Sequence, residues 1–265
     1  MFYIGVFITI FTIASCEEEP TPTTNEVNIP SLWDVANLYK GDWDGYINIQ
    51  GKKLFGDDPI TIANAQNTAI AKFWDDSEST ITMDNVMVGD VNLSSDVSPS
   101  GNTRYSTEAN QRQTTKHLFG NTVNVSLINN NNESGNVEVY CPTELVINEP
   151  IRATTGLNSI GGMDRKVLLK WNADYNNDKG VGIAVSYSSK LMGNHAFGLP
   201  SMSSRILVDD DGEYTLSIDE NIPSGAIITV YMIRGDMQGL DIKDKTYLSS
   251  CYSLTYAMFK VAAGS

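Results

Sequence analysis

The sequence predicts an all-β protein, and three observations support this fold class. Apolar and polar residues alternate with a period of two in short segments such as 80–83, 90–93 and 122–128, as in β-strands. Turns rich in Gly, Asp, Asn and Pro separate these segments. Sustained helical periodicity is almost absent. The one helix expected is a short turn over residues 31–39 with Ser31 as its N-cap.

The N-terminal segment contains an apolar run from Phe2 to Ile13. A helix needs about 20 apolar residues to span a bilayer, so this run is too short to span and instead has the length of a signal-peptide core. Ala14 and Ser15 provide the small residues of a cleavage site, and Cys16 follows directly. The first three residues, Met1 to Tyr3, include no Lys or Arg, which departs from the usual basic start of a signal peptide.

This order of a branched apolar residue, two small residues and Cys16 resembles the lipobox of bacterial lipoproteins. The resemblance implies that residues 1–15 are a signal peptide and that Cys16 carries a diacylglycerol and fatty acyl chains such as palmitate. Each buried methylene contributes about 0.8 kcal/mol, so two or three chains would anchor the protein stably in the membrane. The alternative is an ordinary secretory signal followed by an incidental cysteine.

Residues 16–28 have the composition of a flexible tether, because they are polar, acidic and rich in Pro and Thr. The acidic residues directly after Cys16 resemble the export signal of surface lipoproteins of the Bacteroidota. This resemblance implies an outer-membrane, lipid-anchored location at the cell surface, with a partner outer-membrane protein as one class of ligand.

The charge balance excludes nucleic acid as the expected partner. The chain has 18 Lys and Arg against 32 Asp and Glu, for a net charge of −14. Nucleic-acid affinity comes from neutralising phosphates with basic residues, and a polybasic membrane patch needs the same residues. We therefore read the dispersed acidic charge as a solvated surface.

Two cysteines remain if Cys16 is lipidated, namely Cys141 and Cys251. An exported protein meets an oxidising environment, in which these two thiols are expected to form a disulfide. The alternative is a pair of buried free thiols.

The chain divides into two expected β domains. The first covers residues 29–128, and the second covers residues 137–265. Between them, residues 129–136 form an Asn-rich, turn-forming run that is typical of a linker. Within the first domain, the polar stretch 94–116 has no pattern and predicts a long loop.

The first domain contains the segment 37–49, in which Gly41 and Trp43 precede an alternating strand. This Gly-x-Trp motif and the strand order that follows resemble lipocalin-type, calycin-like domains of Bacteroidota lipoproteins. The resemblance implies an up-and-down β-barrel, which either fills with side chains or holds one small hydrophobic ligand. Trp43, Phe73 and Trp74 are the candidate lining residues of such a cavity, and plain core packing is the alternative role.

The second domain is predicted to be an immunoglobulin-like β-sandwich. Strand-forming segments recur at short spacing between Gly, Asp and Pro turns over residues 167–171, 181–187, 205–208, 213–218, 226–235 and 252–261. Trp171 is the expected centre of its core.

Metal binding is not expected. Asp174, Asn176 and Asp178 alternate as in a calcium loop, but such a loop requires Gly at its sixth position and Glu at its twelfth. Lys179 and Val185 occupy those positions, so the pattern favours an Asn- and Asp-rich hairpin turn.

No catalytic set is recognisable in the sequence. The acidic triplet 209–211 is expected to form an Asp-Gly turn, because adjacent strand residues point to opposite faces. His117 and His195 are the only histidines, and no Gly-x-Ser-x-Gly motif accompanies either of them. Two histidines and two paired cysteines are a poor zinc set, and no cofactor motif is present.

These observations predict a non-catalytic binding module for a small ligand, a glycan or a partner outer-membrane protein. The second function class is a structural or adhesive subunit of an envelope complex. A hydrolase is the third class, because paired carboxylates occur in any acidic protein.

Overall fold

A computed structural model describes residues 43–54, 66–107, 114–150, 157–160, 165–188 and 204–262. Over these residues the chain is built of β-strands, with one short 3-10 helix. The all-β prediction is therefore confirmed. The described residues contain no helix with the length and apolar character that a membrane crossing requires.

The N-terminal half of the described chain contributes eight strands and the 3-10 helix. These are β1 (Gly45–Leu54), β2 (Gln66–Phe73), β3 (Met83–Val88), β4 (Val91–Asn92), β5 (Ser94–Val97), β6 (Thr103–Ser106), the 3-10 helix Thr114–Leu118, β7 (Asn121–Asn129) and β8 (Ser134–Cys141).

The C-terminal half contributes eight further strands, of which the last two are the longest. These are β9 (Ile147–Glu149), β10 (Asn158–Ile160), β11 (Lys166–Trp171), β12 (Val181–Ser188), β13 (Ser204–Val208), β14 (Glu213–Ser217), β15 (Ile227–Ile242) and β16 (Lys245–Val261).

The strands form three sheets. The large sheet has nine strands in the order β13-β12-β15-β16-β1-β2-β6-β5, with β10 also paired to β16. A three-stranded sheet has the order β14-β11-β9, and a four-stranded sheet has the order β4-β3-β7-β8. β1 pairs with β16 in parallel, and β15 pairs with β16 in a long antiparallel hairpin.

Two hydrophobic cores lie on the same side of the large sheet. The first core packs β1, β2 and the tip of the β15–β16 hairpin against the four-stranded sheet. The second core packs β12 and the base of the hairpin against the three-stranded sheet, with Trp171 buried in it. Because one hairpin contributes to both cores, it connects them physically.

Alternation along β15 explains this arrangement. Ile228, Val230 and Met232 face the second core, and Leu240 and Ile242 face the first. Successive strand residues point to opposite faces, so one continuous face of a sixteen-residue strand supplies side chains to both cores.

The expected barrel is not what the described residues form. Among them, each of the three sheets stays open, and the strands of residues 29–128 are divided between two sheets. The physical reason is that β1 forms hydrogen bonds with β16, from the C-terminal end of the chain. An up-and-down barrel would instead pair each strand with its sequence neighbours.

The residues expected to form a linker, 129–136, lie within the β7–β8 hairpin. Asn129 ends β7, residues 130–133 form the turn, and Ser134 begins β8. Ile128 is the register partner of Ser134. The Asn129 side chain accepts hydrogen bonds from the amides of Asn131 and Glu133, each at 3.0 Å. The Asn-rich composition is therefore explained by a tight turn inside one sheet, in which an Asn side chain binds the backbone amides.

The expected loop at 94–116 also needs correction. It contains the β5–β6 hairpin, in which Ser98 and Asn102 close the turn with a 2.9 Å backbone hydrogen bond. Tyr105 is buried in the first core and its hydroxyl donates to the Met83 carbonyl at 2.9 Å. Period-two alternation is hard to see in so short and polar a hairpin.

A disulfide joins Cys141 at the end of β8 to Cys251 in β16. The two Cα atoms are 5.0 Å apart, and 110 residues separate the cysteines in sequence. Both cysteines belong to the first core. The crosslink therefore connects the four-stranded sheet to the large sheet, and it joins the two cysteines that are predicted from the sequence to pair.

Candidate functional site

A polar cleft of about 620 Å³ opens beside the point where the two cores meet. Its lining comes from the start of β7, the end of β8, the turn after β11 and the middle of β15. The polar side chains of the lining include Asn121, Tyr140, Asn177, Asp178, Asp236 and Gln238. The volume lies within the range of about 300–1,000 Å³ that is usual for small-molecule sites.

Asp174 organises the base of the turn that lines the cleft. Its carboxylate accepts hydrogen bonds from the Tyr140 hydroxyl at 2.9 Å, the Thr143 amide at 2.7 Å and the Asn176 amide at 3.2 Å. Burial raises the pKa of Asp174, but these hydrogen bonds outweigh burial and hold the pKa below its ordinary value. Asp174 is therefore buried but ionised at neutral pH.

Tyr140 is positioned by that carboxylate. Burial and the hydrogen bond to Asp174 raise the pKa of the Tyr140 phenol above its ordinary value. The phenol therefore keeps its proton at neutral pH and directs it to Asp174.

A buried ion pair between Arg234 and Asp210 lies close to the cleft. Arg234 is fully buried on β15, and its Nη1 donates to the two Asp210 oxygens at 3.2 and 3.1 Å. Its remaining donors reach the Thr143 carbonyl and hydroxyl at 2.8 and 2.7 Å and the Asn172 carbonyl at 2.8 Å. Burial lowers the pKa of Arg234, and the charge of Asp210 opposes that effect.

Asn177 connects the ion pair to the cleft, whose wall it helps to form. Its side-chain nitrogen donates to the Gly180 carbonyl at 2.8 Å and to Asp210 Oδ2 at 2.9 Å. Asn177 is only 6% exposed. Its side-chain oxygen accepts no hydrogen bond from the part of the chain that the structure describes, so a buried acceptor remains beside the cleft.

The three aromatic residues expected to line a ligand cavity are packed elsewhere. Phe73 lies in the first core, with ring centroids 5.6 Å from Tyr105 and 5.5 Å from Tyr247. Trp43 packs in a small cluster on the opposite face of the large sheet, and the Trp74 ring contacts Tyr46 at 5.9 Å. None of the three lines the polar cleft.

The acidic residues of the calcium-like loop and of the triplet 209–211 are not arranged around a common point. Asp174 is engaged by its own neighbours, and Asp178 is exposed. Of the triplet 209–211, Asp210 alone points inward, to Arg234. The described ranges contain no group of three or more His, Cys, Asp or Glu residues placed to hold a metal.

The histidines and the lipidation site lie away from the cleft or outside the described residues. His117 Nε2 lies 2.7 Å from Asp90 Oδ1, and both side chains are exposed. The hydrogen bond with His117 lowers the pKa of Asp90. Cys16, His195 and the helical turn at 31–39 fall outside the described residues.

Sequence reasoning missed Arg234, Tyr140 and Asp236. One signal could have indicated the arginine, because it continues the buried alternation of Val230 and Met232 in an apolar strand. A charged residue at such a position is expected to have a buried partner. No comparable signal marks Tyr140 or Asp236, since their neighbours in the cleft come from distant parts of the chain.

No protein-family model matches the chain, and no curated protein is significantly similar to it in sequence. The function proposed for the cleft therefore rests on the residues, distances and charges described above.

Proposed function

We propose that this protein is a lipid-anchored lipoprotein of the bacterial cell envelope that binds a glycan, without catalysis, in the polar cleft. The lipobox resemblance at Cys16 supports the anchor and an outer-membrane, cell-surface location. The cleft supports the ligand class, because its side chains are amides, carboxylates and a phenol rather than apolar groups. The single observation on which the ligand class depends is this polar lining.

A polyhydroxylated ligand fits such a lining better than a hydrophobic one. Sugar hydroxyls exchange hydrogen bonds with amides and carboxylates. Tyr175 lies in the turn that supplies Asn176 to Lys179, and it is 87% exposed. An exposed aromatic face next to a polar cleft provides a surface on which the apolar face of a sugar ring can stack.

Binding without chemistry is supported by the kind of side chains in the lining. Over the described ranges the lining contains no His, Cys or Ser. Nucleophilic catalysis usually requires a nucleophile with an adjacent base, and among the described residues the lining offers no Ser–His or Cys–His pair. Asp178 and Asp236 are its two carboxylates, and we assign them to binding. We assign no cofactor to the cleft.

We also propose a fold family for each half of the chain. An immunoglobulin-like sandwich over residues 137–265 is supported by two facing sheets around Trp171. A calycin-like relationship of residues 29–128 is supported by the Gly41 and Trp43 motif and not by the open sheets.

A second candidate function is attachment to a partner outer-membrane protein, as a structural or adhesive subunit. It is supported by β13, which lies at the edge of the large sheet among the described strands and exposes 72% of Leu207. Exposed edges pair readily with another chain. The other exposed large apolar side chains in the described ranges lie on different elements and do not add to a patch on β13. This favours glycan binding over attachment to a partner protein.

Glycan binding is tested by screening the intact chain against a glycan array and then titrating the best ligand by calorimetry. Tyr175→Ala should weaken binding about tenfold, on the order of 1.4 kcal/mol. Tyr187→Ala is the matched control, because Tyr187 is a half-exposed tyrosine at the far end of β12. Equal affinities for both variants and the parent chain would reject Tyr175 as the stacking surface, and an array without any bound glycan would reject glycan binding.

The anchor is tested separately with Cys16→Ser. We expect this variant to leave the membrane fraction and to lose acylation in a metabolic labelling experiment. A variant that is processed normally and stays in the membrane would reject the lipoprotein assignment. Pull-down from detergent-solubilised envelope, followed by mass spectrometry, tests the partner-protein candidate.

A further inference from the structure

The hydrogen-bond donors of the cleft side chains are mostly used inside the protein. Tyr140 donates its phenol proton to Asp174 at 2.9 Å. Asn177 uses its amide nitrogen for Gly180 at 2.8 Å and for Asp210 at 2.9 Å. A phenol has one proton and a side-chain amide has two, so these two residues have no side-chain donor left for a ligand.

Two side-chain amides on the other side of the cleft also donate to partners inside the protein. The Asn121 side-chain nitrogen donates to the His117 carbonyl at 3.0 Å. The Gln238 side-chain nitrogen lies 3.4 and 3.3 Å from the two Asp236 oxygens, in donor geometry. These hydrogen bonds orient the Asn121 and Gln238 amides, so that the amide nitrogen faces its acceptor and the amide oxygen points away from it. The lining thus spends part of its amide donor capacity on partners inside the protein.

Formal charge in the lining has the same bias. Asp178 and Asp236 carry two carboxylates, and Lys179 is the only cationic residue in the lining. Its ammonium is 3.5 Å from Asp178 Oδ1. Buried Asp174 adds a further carboxylate behind Tyr140. Carboxylates therefore outnumber the cationic group, and the cleft is negative.

We propose that the cleft selects a sugar that carries a free, protonated amine, and that Asp178 and Asp236 determine this specificity. The inference rests on the proposed glycan-binding function. An ammonium donates three hydrogen bonds and accepts none, so it matches both the acceptors and the charge. The Asn177 oxygen, unpaired among the described residues, is buried in the cleft wall, where its partial negative charge adds to the same preference.

An acidic sugar meets the opposite situation. Its carboxylate would bring like charge to Asp178 and Asp236 and would offer acceptors where acceptors already prevail. Like-charge contacts and unpaired polar groups are how binding sites reject competing ligands. An N-acetylated sugar lies between the two, since it keeps its hydroxyls but has no cation.

The test is a calorimetric titration of the intact chain with three oligosaccharides of equal length. These are a glucosamine oligomer, its N-acetylated counterpart and a galacturonic acid oligomer, at mildly acidic pH where the amine is protonated. We expect the glucosamine oligomer to bind about tenfold more tightly than the N-acetylated form, with a loss of affinity as salt is raised. The acidic oligomer should bind least.

Each other outcome overturns a stated claim. Equal binding of the amine and N-acetyl forms, or tighter binding of the acidic oligomer, overturns the amine preference and leaves the glycan function standing. If none of the three oligomers binds and the glycan array is also negative, the glycan function itself fails.

Asp236→Asn and Asp178→Asn assign the specificity to residues. Asp236→Asn should reduce the affinity for the glucosamine oligomer about tenfold and leave the N-acetylated oligomer unchanged. Asp178→Asn, at an exposed position, provides a second variant that is expected to fold normally. Asp96→Asn, on the exposed edge strand β5, is the charge-matched control. Equal weakening of both oligomers would show a merely structural role for these carboxylates.

Discussion

Arg234 and Asp210 form an ion pair in which neither side chain is accessible to solvent. Nη1 lies 3.1 Å from Oδ2, and the two side chains are 0% and 1% exposed. Asp210 also accepts from Trp171 Nε1 at 2.8 Å and from Asn177 at 2.9 Å. The pair therefore joins the long hairpin to the second core and to the turn that lines the cleft.

Removing one partner of this pair should be costly. We expect Asp210→Ala to lower the free energy of unfolding by about 3–5 kcal/mol, because it leaves the guanidinium buried without its counterion. Urea denaturation followed by tryptophan fluorescence measures the change. Asp209→Ala, at a neighbouring exposed position, should cost less than about 0.5 kcal/mol. Similar losses in both variants would contradict the role assigned to the ion pair.

The disulfide should contribute substantially to stability, because it closes a long loop between two sheets. For a separation of 110 residues, the chain-entropy relation gives about 4–5 kcal/mol as the upper expectation. Cys141→Ala combined with Cys251→Ala should lower the urea midpoint, and reductant should lower the midpoint of the parent chain but not that of the double variant. An unchanged parent midpoint after verified reduction would argue against the stabilising role.

Gly235 should tolerate no larger side chain. A Cβ at this position would lie 2.7 Å from Tyr252 Cβ and would also meet the Cys251 carbonyl oxygen. We expect Gly235→Ala to destabilise the protein by about 1–3 kcal/mol, as in other overpacked sites. Gly239→Ala is the matched control on the same strand, because its Cβ would have ordinary contacts of 3.5 Å or more. Thermal unfolding of both variants measures the difference, and equal effects would contradict the steric argument.

Acid should weaken the base of the cleft through Asp174. Its pKa is lower in the folded chain than in the unfolded one, so its contribution is present above the unfolded pKa, ordinarily about 3.9, and is lost as pH falls through the folded pKa. Stability measured from neutral pH into this acid range should therefore fall less steeply for Asp174→Asn than for the parent chain. The Asp174→Asn chain should also be less stable than the parent at neutral pH. Parallel pH profiles would contradict this prediction.

Much of the local structure was predictable because apolar and polar residues alternate with a period of two in short segments of the sequence. The strands at 122–128, 167–171 and 205–208 lie where the alternation places them. The β5–β6 hairpin was missed because its residues are polar and its strands are short. The turn at 129–136 was mistaken for a linker, since the same Asn-rich composition suits both.

The cleft could not be predicted from local patterns. Tyr140, Asp178 and Asp236 come from three separate segments of the chain, and nothing in the residues beside them indicates that they meet. Asp174 was noticed as a calcium-loop candidate, but its actual partners are Tyr140 and Thr143. Only the folded chain shows that these groups form one surface.

By itself, the sequence determined that this protein is built of β-strands, and it offered two cysteines that could pair. Tertiary structure alone decided that β1 pairs with β16 at the other end of the chain, that Arg234 has Asp210 as its counterion and that acceptors converge in one cleft. The physical reason is that alternation records which face of a strand is buried. Backbone hydrogen bonds are alike in every strand, so the choice of neighbour depends on how the whole set of faces packs.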